Sequence, residues 1–186
     1  MPAICPRPVV AAAALALAAA SALLTGSAQA SSGPPDPADP TALVGGCTVN
    51  GTAVLGAAVT GTEGADEIEC PAGVAAGTVI SGGGGVDVIT ITGVNAGTVD
   101  GGAGTDLIEI DGGNTGTVSG GTEADIIELS ADAVANSGAV NGGAGADVIS
   151  VEADDAGPGS VTGDADTDVC FFDAEPSGPA DCEIVA

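Results

Sequence analysis

The chain has 186 residues, with one basic residue (Arg7), 26 acidic residues and no His, for a formal net charge of −25. It cannot pair its carboxylates internally, and like charge argues against nucleic acid or an anionic membrane surface as a partner. Two aromatic residues and 32 glycines argue against a thick globular core, while an apolar fraction of 45% argues against a simple disordered acidic tail.

Residues 1–30 read as an export signal. Arg7 supplies the positive end, Val9 to Leu24 is an Ala/Leu run, and Ala28-Gln29-Ala30 fits the small-residue cleavage pattern. Cleavage after Ala30 and a secreted, extracellular protein are expected. All the acids lie after residue 30, so the mature chain carries about −26. No second apolar stretch is long enough to insert in a membrane. Residues 31–46, with Pro34, Pro35, Pro37 and Pro40, read as a Pro-rich linker.

Cys5 would leave with the signal, so Cys47, Cys70, Cys170 and Cys182 remain. An even count in an exported chain points to disulfides, with three connectivities open. Cys47–Cys70 and Cys170–Cys182 are expected, because each would close one end of the repeat array. Residues 47–60 would then form an N-terminal cap and 170–186 a C-terminal cap.

Between the caps, residues 61–169 repeat. Gly101-Gly-Ala-Gly-Thr-Asp106 runs into Leu107-Ile108-Glu109, and reads as six residues of turn followed by strand. Gly82 to Asp87 and Gly142 to Asp147 are close copies. Looser ones run from Gly61 to Asp66, Gly120 to Asp125 and Gly163 to Asp168. The starts are spaced by 21, 19, 19, 22 and 21 residues, a period that means a solenoid. Return segments such as Thr92–Asp100 and Asp111–Ser119 complete each coil. Extra residues are confined to Pro71–Gly77, Ala131–Gly138 and Ala153–Gly159.

Alternation of side chains predicts the core. One inward column is Ile68, Ile89, Ile108, Ile127, Ile149 and Cys170. A second is Cys70, Ile91, Ile110, Leu129, Val151 and Phe172. The opposite strand contributes Val59, Ile80, Val99, Val118, Val140 and Val161. Glu69, Thr90, Glu109, Glu128, Ser150 and Phe171 point outward. The fold class is therefore all-β: a parallel β-roll or β-helix solenoid of about six coils with disulfide-capped ends.

Stacking puts Asp66, Asp87, Asp106, Asp125, Asp147 and Asp168 on one edge, about 4.8 Å apart, with no Lys or Arg to offset them. A hard divalent cation would. Ca2+ accepts carboxylates mixed with main-chain carbonyls, whereas Mg2+ prefers a small octahedral shell that keeps its waters.

These turns resemble the hemolysin-type calcium-binding repeats of RTX proteins, whose pattern is G-G-x-G-x-D-x-U-x. Residues 82–90, 101–109 and 142–150 match it at every specified position, and the resemblance covers roughly residues 59–172. It implies Ca2+ held between successive turns by Asp87, Asp106 and Asp147 with turn carbonyls, among them those of Gly82, Gly84, Gly101, Gly120 and Gly142. The role extends to Asp125 with Glu123 at the third Gly, to Asp66 with Thr62 at the second, and to Asp168 with Asp164 and Asp166 displacing both later glycines. The return turns lack Asp, so a single file of at most about five sites is expected.

The function implied is calcium-ion binding coupled to folding, in a protein that is not an enzyme and has no other cofactor. Two alternatives come from other classes. One is a calcium-rigidified adhesive or structural module. The other is a carbohydrate-active β-helix, which would have to use paired carboxylates alone. Ice binding would need matched Thr columns, and the outward column Glu69, Thr90, Glu109, Glu128, Ser150 does not provide one. A protein or glycan partner is not legible.

Overall fold

The computed structural model describes residues 46–54, 56–131, 136–153, 159–172, 180–182 and 184–185. The segment read as an export signal, residues 1–30, and nearly all of the expected linker lie outside these residues.

The chain enters through a two-stranded hairpin, β1 (Thr48–Val49) and β2 (Thr52–Ala53). It then alternates between two sheets. One strand series is β3 (Ala58–Thr60), β5 (Val79–Gly84), β7 (Thr98–Ala103), β9 (Thr117–Thr122), β11 (Ala139–Ala144) and β13 (Ser160–Ala165). The other is β4 (Glu67–Cys70), β6 (Val88–Ile91), β8 (Leu107–Ile110), β10 (Ile126–Ala131), β12 (Val148–Ala153) and β14 (Val169–Phe172). Two short strands, β15 (Ala180–Asp181) and β16 (Ile184–Val185), extend the two sheets in parallel. Within each series neighbours pair in parallel, one coil on the next. At the other end β1 lies antiparallel on β4 and closes that edge. The molecule is a β-solenoid, as its period requires.

The register reproduces the three predicted columns. Ile68, Ile89, Ile108, Ile127, Ile149 and Cys170 are successive partners in one sheet. Val59, Ile80, Val99, Val118, Val140 and Val161 are successive partners in the other. All are buried, as is the Cys70 to Val151 column, and Phe172 packs partly buried at its end. Ile and Val at these positions fill the narrow space between the sheets and suit the pleat. Ile110→Ala should therefore cost about 2–5 kcal/mol, read as a fall in the urea midpoint, since the coils above and below cannot both close on the gap.

Both disulfides are formed, Cys47–Cys70 and Cys170–Cys182. Cys47, Cys70 and Cys170 belong to the core cluster, and Cys182 packs against it. Each cross-link therefore fastens a cap onto the end of an aliphatic column. Among the described residues, no helix is long and apolar enough to cross a membrane.

The turn is shorter than its six-residue motif. Gly101, Gly102 and Ala103 belong to β7, so only Gly104, Thr105 and Asp106 turn the chain into β8. Gly102 stays in the ladder at φ 109°. The copies at 120–125 and 163–168 keep the same path, since Glu123, Asp164 and Asp166 stand at positive φ where the motif has glycine, whereas in the first copy neither Thr62 nor Gly64 does.

Candidate functional site: a buried carboxylate stack

The six motif aspartates stack along one edge of the solenoid, and their side chains are buried there. Asp87 and Asp168 are 0% exposed, Asp106, Asp125 and Asp147 1%, and Asp66 4%. Each sits immediately before an outgoing strand, and the alternation that sends Ile108 inward also sends Asp106 inward.

One carboxylate oxygen of each aspartate after Asp66 is accounted for along the stack. The Asp66 amide donates to Asp87 Oδ1, Asp87 to Asp106, Asp106 to Asp125, Asp125 to Asp147 and Asp147 to Asp168, each at 2.8 Å. This ladder ties every coil to the next through a side chain.

The other oxygen is the unusual one. Oδ2 of Asp87, Asp106, Asp125 and Asp147 is buried and has no hydrogen-bond partner. A Cβ on Gly101 would lie 2.6 Å from Asp106 Oδ2 and collide with the carbonyl oxygen of Gly120. On Gly120 it would lie 2.5 Å from both Asp125 Oδ2 and the Gly142 carbonyl oxygen. On Gly82 and Gly142 it would run into Asp87 and Asp147 Oδ2, with the Gly101 and Gly163 carbonyls alongside. So the first glycine of the motifs at 82, 101, 120 and 142 clears a space where a carboxylate oxygen and the next coil's carbonyl converge. The strand register skips this place too, passing from Ser81–Asp100 to Gly83–Gly102 with no Gly82–Gly101 pair. Two electron-rich oxygens facing one buried spot need a positive centre between them. A proton or a hard cation can supply it.

Asp66 differs. Its Oδ2 accepts from the Thr62 amide at 2.6 Å and the Thr62 hydroxyl at 2.8 Å, and its Oδ1 from Asn50 Nδ2 at 2.5 Å. The Thr that departs from the motif thus satisfies the first carboxylate internally. Those bonds, led by the Thr62 amide, hold the Asp66 pKa below the usual value. In Asp87, Asp106, Asp125 and Asp147 burial pushes it up, reaching about 7 in Asp125.

These raised values set a pH dependence for the ion-free chain. A folded-state pKa above the unfolded one means the native state binds more protons between about pH 4 and pH 7, so stability rises as pH falls through that window. Acidifying the chain in chelator from pH 7.5 to about 5 should increase its far-UV β signal.

Among the described residues, no three acidic, His or Cys side chains converge as a metal-binding cluster. An ion here would need main-chain carbonyls beside the carboxylates, and the glycine turns offer them. Gly84, expected to contribute its carbonyl, donates its amide to the Thr62 carbonyl, at 2.8 Å.

A second polar ladder runs up the return corner, and sequence reading missed it. Asn95 Nδ2 donates to Asn114 Oδ1 at 2.9 Å, and Asn114 Nδ2 to Asn136 Oδ1 at 3.1 Å. Asn95 and Asn114 also accept from the amides of Gly97 and Gly116, two residues on. All three are buried. Their spacings of 19 and 22 residues match the period and were the available signal. Amides can stack with donors facing acceptors, so this corner is closed and neutral, whereas the carboxylate corner is not.

No family model matches the chain, and no curated protein or solved structure does either. What defines the class is the molecule itself: a disulfide-capped β-solenoid repeat protein with a carboxylate stack inside one corner and an asparagine ladder inside the other.

Proposed function

We propose that the protein is a secreted calcium-ion-binding β-roll, not an enzyme, whose folding is coupled to Ca2+. The observation that carries this reading is the set of four buried, partnerless carboxylate oxygens, each beside a glycine carbonyl of the following coil. Asp87, Asp106, Asp125 and Asp147 hold the ions together with turn carbonyls, among them those of Gly101, Gly120 and Gly142. Ca2+ supplies the positive charge that no side chain after Arg7 provides. Asp66, already satisfied by Thr62 and Asn50, closes the file at one end without an ion of its own. The disulfides fit an oxidising extracellular compartment, where calcium is plentiful.

Without the ion, a chain of this charge and so thin a core stays largely unfolded. Calorimetric titration of the disulfide-intact chain in metal-free buffer tests the binding directly. Uptake of several Ca2+ per chain is expected, and its loss in the Asp87→Asn/Asp106→Asn/Asp125→Asn variant. No uptake at millimolar Ca2+ would sink the proposal.

A further inference from the structure

The outer face of the sheet built from β4 to β14 is not uniformly polar. Val88, Leu107, Ile126, Val148 and Val169 are successive register partners on that face. None is buried, and Ile126 is 40% exposed. They form an apolar column about 19 Å long, at roughly 4.8 Å per strand. Two residues along each strand lies a second outward column, in which Glu109 pairs with Glu128. Glu152 stands beyond it, paired in register with Ser130. Burial, and then the charges of Glu109 and Glu152, push the Glu128 pKa up, so these carboxylates repel one another without relief.

We propose that this face docks a basic amphipathic segment of another protein, with its apolar side chains on the Val88–Val169 column and its Lys or Arg side chains against Glu109, Glu128 and Glu152. The chain cannot supply the occupant, since Arg7 is its only cation and lies in the export signal. A second copy would set acid against acid on the same face. An anionic bilayer is repelled for the same reason. A partner with apolar and cationic stripes side by side satisfies both columns, and the ladder of parallel strands holds them at fixed spacing. This inference does not depend on calcium binding at the internal stack.

The test uses a synthetic Leu/Lys amphipathic peptide of about 15 residues, long enough as a helix to cover the column at 1.5 Å per residue. A scrambled peptide of the same composition reports attraction to a polyanion alone. Binding is followed calorimetrically to the disulfide-intact chain in Ca2+, at physiological salt. The amphipathic peptide should bind at least about tenfold more tightly than the scrambled one. Leu107→Ser/Ile126→Ser and, separately, Glu109→Gln/Glu128→Gln should each weaken it by about tenfold, as loss of apolar burial or of paired charge predicts. Asp100→Asn/Asp181→Asn removes as much charge elsewhere and should change it less than about twofold. Circular dichroism checks that each variant keeps its β signal, and the Gln pair keeps the test valid if the Ser pair unfolds. Equal binding of the two peptides, equal loss in the Asn control, no binding, or self-association of the chain through this face would overturn the proposal.

Discussion

Gly104→Ala is expected to destabilise the protein in Ca2+-containing buffer by about 3–5 kcal/mol, or to prevent folding, whereas Gly64→Ala should cost under about 1 kcal/mol. Both residues occupy the same motif position. Gly104 stands at φ 122°, and a Cβ there would collide with the carbonyl oxygen of Gly85 in the preceding coil. That oxygen belongs to a backbone held by its own ladder and cannot swing aside. Gly64 lies in the first coil, with no coil before it, and its Cβ would meet only the Thr62 hydroxyl at 3.8 Å. Gly64 also lacks the positive φ of Gly104, so urea unfolding of the two variants in Ca2+ reads the combined cost of the strained φ and the blocked stacking. Equal losses would mean that neither the positive φ nor the collision with Gly85 is what demands glycine at 104.

Asp106→Asn should change stability in opposite directions with and without calcium. In chelator, the variant removes a buried charge with nothing to balance it. The new side chain can still accept from the Asp87 amide, and its NH2 can donate to the Gly120 carbonyl that faces Oδ2. We expect it to fold at lower trimethylamine oxide concentration than the parent chain, a gain of about 1–3 kcal/mol. If the stack holds Ca2+ as proposed, the order should reverse in Ca2+, because an amide cannot neutralise an ion and sites on either side would share the Asp106 oxygens. Asp66→Asn is the contrast. Thr62 already donates twice to Oδ2, so an NH2 there meets donors and destabilises in both conditions. If Asp106→Asn lowers stability equally in chelator and in Ca2+, the carboxylate is a structural hydrogen-bonding group and not an ion ligand.

Much of the fold is readable from spacing. Ile89, Ile108 and Ile127 recur at 19-residue intervals inside an every-other-residue alternation, and only stacked parallel strands satisfy both periods. The cap disulfides follow from Cys70 and Cys170 falling in core columns at opposite ends. The depth of the aspartates was less legible. A carboxylate next to glycines reads as an exposed turn, and only the position of Asp106 one residue before its strand turns it inward. The shared amide-to-Oδ1 ladder is a relation between coils, which no single copy of the motif displays. Thr62 looked like a weakened repeat, yet it closes the stack. The asparagine ladder was hidden because the return segments vary in length and Val74 takes the corresponding place in the first coil, bridged to Asn95.

The most direct test of the central claim is far-UV circular dichroism of the disulfide-intact chain at neutral pH. It would be titrated with Ca2+ after chelation, with Mg2+ in parallel. The account predicts a β spectrum that grows cooperatively with Ca2+ and not with Mg2+. A spectrum already β-rich in chelator and unmoved by Ca2+ would contradict it, and would assign the fold to the aliphatic columns and disulfides alone.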